Sequence, residues 1–323
     1  MKRVKLGRTG FDVSVMGMGA GGPSQIGKKQ GKTPEHSAAI LLEAFEAGVN
    51  FVDTAEGYGT EHLVGLALKD FPRDQVVIST KKSSRGSSAE EVVPSLEESL
   101  KRLGTDYIDV YSLHGVYDYD YDRCKDELFP EVVKLQQAGK IRSIGITEMF
   151  NADKSHDMLH RALDDNLWDV AMVGFNILNQ SARDKVLSKA IEHDVGIQVM
   201  FAVRKALSDM EFLAETVAAL IDEGHVDAAD IDDPEHPLGF LVHDDGAVSL
   251  PDAAYRFCNY EPGTHVILSG TGNPDHLKQN IASLGRGPLP DADVERLKKI
   301  FRKVDSITGQ GEWGGDPGPE KKA

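Results

Sequence analysis

Two hydrophobic patterns alternate along the chain. Short runs rich in β-branched residues are each followed by a stretch in which apolar positions recur at helical spacing. The runs are VSVMGMG (13–19), NFVDTA (50–55), QVVISTK (75–81), YIDVYSLH (107–114), IRSIGIT (141–147), DVAMVGFN (169–176), GIQVMFAV (196–203) and HVILSG (265–270). The helical stretches between and after them cover 33–48, 61–71, 89–104, 126–139, 155–165, 182–194, 251–260 and 274–285, with an extra helical insertion near 207–224. Thr33 reads as an N-cap before Pro34, and Gly48 as the stop of the same helix. Pro94 and Pro130 fall inside helical patterns, so those helices kink there or begin later.

Alternating βα units imply a parallel sheet. Eight of them without a reversal favour a closed (β/α)8 TIM barrel over an open doubly wound sheet. Two pieces fall outside the alternation. KRVKLGRTGFDVS (2–14) reads as a hairpin turning at GRTG and plugging the N-terminal end of the barrel. After a last amphipathic helix beginning at Asp291, residues 308–323 are rich in Gly, Pro and charge. We therefore expect one domain over 1–307 and a disordered or loosely docked tail over 308–323.

Active sites of such barrels form at the C-terminal ends of the strands. Strand two ends on Asp53, with Tyr58 on the loop beyond; strand three ends on Lys81; strand four ends on His114. Neighbouring strands lie ~4.8 Å apart, so the four side chains can meet. An ammonium beside a phenol favours the phenolate and lowers its pKa, and a carboxylate keeps that ammonium charged in a buried site. A histidine alongside can donate to a carbonyl oxygen. The set suits carbonyl reduction, with hydride going to carbon and a proton to oxygen.

Composition narrows the alternatives. The chain has 323 residues and a net charge of −16, which argues against nonspecific binding to nucleic acid or to acidic membranes. It contains no run of about 18 apolar residues and no apolar signal region, so a cytoplasmic protein is expected. Two cysteines, Cys124 and Cys258, make no disulfide framework. No HxH or HExxH occurs, which ranks a metal hydrolase last.

At these residues the sequence resembles the aldo-keto reductase family. FVDTAEGYGTEHLVGLAL, STK, RLGTDYIDVYSLH and GKIRSIGIT match its signature segments in order and spacing. The resemblance extends from VKLGRTGFDVSVMGMG to GNPDHLKQNI, nearly the whole chain. It implies a catalytic tetrad of Asp53, Tyr58, Lys81 and His114, no metal, and NADP(H) bound in extended form across the barrel mouth, with NAD(H) as the second possibility. The glycine cluster GMGAGGP (17–23) is not a dinucleotide fingerprint, because the helix begins about ten residues later rather than at once.

The resemblance also implies cofactor contacts. Gly19, Ala20 and Asp53 would lie on the nicotinamide side. Thr147 and Glu148 stand where relatives carry Ser-Asn for the carboxamide. Met172 stands where many carry Gln, with Asn176 at the same strand end. Met200 or the adjacent Phe201 would cover the nicotinamide ring. The segment LSGTGNPDHLKQN would grip the adenosine 2′-phosphate through Gly270, Thr271, Gly272, His276 and Asn280, helped by Arg204 and Lys278. The helix opening at Asn273 and Pro274 offers backbone N–H groups to an anion. On the substrate side, Tyr58 and His114 are joined by Glu56 and by Tyr117 of the loop GVYDYDYDR, whose aromatics and carboxylates suit a sugar or another polyol. The competing reading is a cofactor-binding regulatory subunit of the same fold with little turnover. The oligomeric state is not legible.

Overall fold

A computed structural model describes residues 1–311. Strands β1 (Arg3–Lys5) and β2 (Asp12–Ser14) pair antiparallel. Eight parallel strands follow: β3 (Met16–Gly19), β4 (Phe51–Asp53), β5 (Val77–Ser83), β6 (Ile108–Val116), β7 (Ile141–Glu148), β8 (Val170–Gly174), β9 (Gly196–Met200) and β10 (Val266–Ser269). β10 pairs with β3 and closes the sheet into a barrel surrounded by helices, the (β/α)8 fold expected.

The hairpin seals one end. Leu6, Phe11 and Val13 pack on Phe51, Val77, Val110, Val170 and Val266, which lie toward the N-terminal ends of barrel strands. Arg8, in the hairpin turn, donates to the carbonyl of Trp168 and to Asn166 Oδ1, each at 2.6 Å, and pairs with Asp169 at 3.3 Å. The plug leaves chemistry to the opposite mouth.

Local signals place most of the helices. Thr33 Oγ1 accepts the His36 N–H, Pro34 opens the helix Pro34–Glu46, and Gly48 takes the left-handed φ of 90° just past its end. Pro94 sits in the first turn of Val92–Leu103, so that helix begins later than the pattern suggested, whereas Pro130 lies inside a helical run that begins earlier, at Tyr121, and passes through a π-helical turn, Cys124–Leu128, just before Phe129–Gln137. At Pro94 the proline costs no helical hydrogen bond, and at Pro130 the π-helical turn interrupts the regular ladder just before it. The insertion forms the helix Met210–Asp222, capped by Asp209. Its acidic continuation buries Val226, Ile231 and Leu238 while Asp230 and Asp232 pair outward with Lys299 and Arg296.

The first residues of the expected tail are docked on the barrel. Thr308 is buried and its carbonyl accepts from Asn176 Nδ2, while the Gly309 carbonyl accepts from the Ala206 amide. A glycine-rich segment docks here because its backbone acceptors find donors beyond β8 and β9. Residues 312–323 of the expected tail lie outside the described residues. No helix among the described residues is long and apolar enough to cross a membrane.

Candidate active site

Strand alternation aims the acid and base groups inward. Asp53 of β4 stands level with Ser79 of β5, and Lys81 stands level with Ser112 of β6, two residues below His114. Successive inward positions therefore climb from Ser79 to Lys81 and from Ser112 to His114. Lys81 is wholly buried. Its Nζ lies 2.7 Å from the Asp53 carboxylate and 2.7 Å from the Thr54 carbonyl. Ser79 Oγ donates to Asp53 Oδ1 at 2.9 Å.

Tyr58 arrives from above on a short helical turn, Glu56–Tyr58, closed by Gly59 at φ 62°. Its hydroxyl stands 3.2 Å from His114 Nε2, and the two rings meet edge-on at 5.4 Å. Lys81 Nζ lies 5.3 Å from the phenol centroid. The ring passes so close to Gly21 that a Cβ there would stand 2.5 Å from it. Gly21 was not singled out in the sequence beyond its glycine cluster; the cluster makes room for the phenol.

Burial dominates the electrostatics. It pushes the Tyr58 phenol above its ordinary value, with the Lys81 ammonium pulling the other way. The expectation of a net lowering by Lys81 is thus corrected: removing the phenolate from water outweighs the attraction of a cation. Burial likewise pushes the Asp53 carboxyl up against the opposing pull of Lys81. His114 is driven down to about 3, by burial first and by Lys81 second, so its ring is neutral at physiological pH. A neutral imidazole carries one N–H and one lone pair, and can donate to a carbonyl oxygen or accept from Tyr58.

A cleft of about 880 Å³ runs from this group across the mouth. Of the expected cofactor residues, Gly19, Asp53, Met172, Met200, Phe201, Arg204, Gly270, Thr271, His276 and Asn280 line it. Ala20 is buried, and its N–H donates to the Asp53 carbonyl at 2.7 Å. Gly272 packs against the backbone of Gly27. Arg204 makes no ion pair among the described residues; its guanidinium lies 3.7 Å from the centroid of Phe201, and its Nε is buried without a partner. Asn280 Nδ2 and the Tyr255 hydroxyl both donate to Ser269 Oγ. Tyr255 also lines the cleft, and no local motif announced it, because its helix, Leu250–Asn259, is otherwise an ordinary amphipathic one.

Several expected contacts are spent elsewhere. Glu148 turns away from the cleft: His156 Nδ1 meets both its oxygens, at 3.0 and 2.9 Å, and the Gly174 N–H donates to it at 2.7 Å. Thr147 Oγ1 accepts from the Gly115 N–H. Asn176 Oδ1 accepts from the amides of Leu178 and Asn179, while its Nδ2 reaches the carbonyls of Phe201 and Thr308. Asn176 therefore shapes a turn and holds the C-terminal segment. At the helix Pro274–Gly285, Asn273 Oδ1 already accepts from the amides of Asp275 and His276, and Lys278 pairs outward with Glu43 at 3.5 Å. The bare helix end expected for an anion is thus largely capped.

The substrate-side expectations change too. The Glu56 carboxylate is consumed by Lys82 Nζ at 3.3 Å, by the Ser83 N–H at 2.9 Å and by a short bond from Ser95. It braces the end of β5 rather than facing a substrate. The Tyr117 ring is buried beside Tyr119, with Arg85 over it, and does not line the cleft.

Comparison with known proteins adds the family. The Aldo/keto reductase family profile matches residues 16–302. An NADH-specific methylglyoxal reductase of Escherichia coli is 27% identical, over 94% of this chain and 100% of that protein. An L-galactose dehydrogenase of Arabidopsis thaliana is 40% identical over 44% of this chain and 47% of its own length. Among solved structures, an aldo/keto reductase of Klebsiella pneumoniae in complex with NADP and acetate superimposes with a TM-score of 0.67 at 21% identity, covering 94% of this chain and 96% of that one. The chain belongs to the aldo/keto reductase family.

Proposed function

We propose that the protein reduces an aldehyde, ketone or sugar carbonyl to the alcohol, reversibly, with NADP(H). The observation that carries this is the Tyr58 hydroxyl 3.2 Å from a neutral His114, above the buried Lys81–Asp53 pair. A nicotinamide dinucleotide fits the residues present. The cleft holds an unpaired guanidinium at Arg204, and its wall is bare backbone at Gly270, where a Cβ would stand 2.8 Å from the Gly19 carbonyl oxygen. Gly19, Asp53, Met200, Phe201, Arg204, Gly270, Thr271, His276 and Asn280 would hold it.

When bound, the nicotinamide supplies the hydride for the carbonyl carbon, or takes it up in the reverse direction. The rest falls to the protein. Tyr58 gives its hydroxyl proton to the carbonyl oxygen as negative charge develops there. His114, neutral, donates from Nε2 to the same oxygen and orients it. Lys81 gives two hydrogen bonds to Asp53 and Thr54, so its ammonium is fixed beneath the phenol ring and stabilises the tyrosinate left behind.

NADP(H) is supported by the Klebsiella relative solved with NADP. A second reading, NAD(H), is favoured by a specific arrangement: Asp275 is exposed beside His276, and Lys278 is drawn off by Glu43. The E. coli relative is NADH-specific. The test is to titrate purified protein with NADPH and with NADH by fluorescence, then add a panel of aldehydes, ketones and sugars. Cofactor oxidation is the expected result. Tight binding without turnover on any carbonyl would point to the regulatory role instead, and no nucleotide binding would defeat both.

A further inference from the structure

We propose that Glu148 and His156 are positioning residues for the cofactor cleft, acting through Phe150 and Phe201 on the unpaired guanidinium of Arg204. The inference rests on the reading of this cleft as a nicotinamide dinucleotide site.

Five side chains form a continuous line of contact from a buried pair to the cleft. Glu148 and His156 are both buried and joined at 2.9 Å. The His156 ring lies flat against Phe150, centroids 5.2 Å apart and planes 11° from parallel. Phe150 meets Phe201 edge to face, 5.4 Å apart at 90°. The Phe201 ring also carries the Arg204 guanidinium, 3.7 Å from its centroid. Arg204 Nη1 lies 3.8 Å from where a Cβ on Gly22 would stand, so the guanidinium reaches toward the glycine loop across the cleft.

Glu148, His156 and Phe201 each carry a local cost that core packing alone does not require. A buried carboxylate and imidazole are more expensive than apolar residues of the same volume. His156 and Phe201 both take left-handed backbone conformations, at φ 63° and 67°. Such conformations in residues other than glycine persist where surrounding contacts over-determine them, often at binding sites. His156 Nε2 is buried without a partner, so only its Nδ1 side and its ring face are in use. Gly174 completes the arrangement: its N–H bonds Glu148, and a Cβ on it would collide with the Phe150 ring. Glu148 is thus an anchor behind the cleft rather than a group facing it.

The consequence is a division of labour. Phe201 cannot rotate without losing the Phe150 edge, and Phe150 cannot shift without leaving His156. Arg204, lacking a carboxylate partner, depends on the Phe201 face for its position and so for its readiness to meet an anionic group of the cofactor.

The test measures NADPH binding by fluorescence, with NADH in parallel, on wild-type protein and on Phe150→Leu, His156→Leu and Glu148→Gln, each alone and with Arg204→Met. Phe150→Leu leaves the buried pair intact and serves if His156→Leu does not fold. Expected results are a rise in Kd of roughly tenfold for Phe150→Leu and for His156→Leu, a smaller rise for Glu148→Gln, which keeps an acceptor for Gly174 but loses the carboxylate that holds His156, and loss of the Phe150→Leu effect in the Arg204→Met background. In turnover, KM for the cofactor should rise more than kcat falls. An unchanged Kd in a folded Phe150→Leu, or effects that simply add to Arg204→Met, would overturn the inference while leaving the function standing. Absence of nucleotide binding by wild-type protein would overturn both.

Discussion

The Tyr58 hydroxyl and His114 Nε2 stand 3.2 Å apart, although the two residues come from different strand–loop units 56 positions distant in the chain. Two groups within hydrogen-bond reach of each other can both reach one carbonyl oxygen placed between them. Tyr58 is the better proton donor of the two: burial keeps His114 neutral, and the N–H of a neutral imidazole is a weaker acid than a phenol hydroxyl.

Tyr58→Phe removes the proton donor and keeps the ring that packs on Gly21. Carbonyl reduction should fall by roughly 10²–10⁴-fold, while NADPH binding by fluorescence stays near the wild-type value. Near-normal turnover in this variant would refute the acid role.

The Lys81–Asp53 pair has a stability signature distinct from its chemistry. Both are buried, and they touch at 2.7 Å. Lys81→Met leaves the carboxylate buried and uncompensated, with an expected loss of about 3–5 kcal/mol in urea unfolding. Adding Asp53→Asn to that variant should recover part of the loss, because a neutral amide is cheaper to bury than an unpaired carboxylate. A double variant less stable than Lys81→Met alone would contradict the buried ion pair.

His114 also makes stability depend on pH. Its folded pKa, about 3, lies below the unfolded value of roughly 6.5. The unfolded chain therefore binds the proton first as pH falls. This contribution to stability is fully present above about 6.5 and is lost as the solution is acidified toward 3, at up to about 1.4 kcal/mol per pH unit. The urea midpoint should fall between pH 6.5 and 5 in wild-type protein and fall less steeply in His114→Gln. Parallel profiles would mean that the ring titrates normally.

The barrel was legible because its signal is repeated: eight βα units each carry their own periodicity, and Thr33 and Gly48 mark helix ends by chemistry that acts within a few residues. Asp53, Lys81 and His114 were placed near the C-terminal ends of their strands from the same patterns, although β5 and β6 run two residues past Lys81 and His114. The contacts of Glu148 and Asn176 were not legible. Both stand at strand ends beside the cleft, but His156, Gly174 and the C-terminal segment compete for their polar atoms, and such competition is set by packing of distant residues. The direction of the Tyr58 shift escaped for the same reason: the nearby cation could be read from the chain, the depth of burial could not.

Cofactor choice turns on the start of the helix Pro274–Gly285. His276 is exposed and lines the cleft, while Lys278 of the same helix pairs with Glu43 instead. If His276 reads a 2′-phosphate, His276→Ala should raise the Kd for NADPH several-fold, by about 1 kcal/mol, and leave NADH unchanged. Equal changes for the two nucleotides would remove His276 from that role and favour the NAD(H) reading.

The glycines around Tyr58 divide by what surrounds them. Gly21 lies under the phenol, and an added Cβ would stand 2.5 Å from the ring. Gly21→Ala must therefore push the phenol away from His114. Misplacing a reacting group by about 1 Å costs on the order of 100-fold in rate, so kcat should fall by that order. Gly57 faces open space, with nothing within 4 Å of an added Cβ and no left-handed φ. Gly57→Ala should leave kcat and the urea midpoint near wild type. The two variants differ from wild type by one methyl group each, so a common loss in both would point to the mobility of the loop, whereas loss in Gly21→Ala alone would tie turnover to the position of the Tyr58 ring.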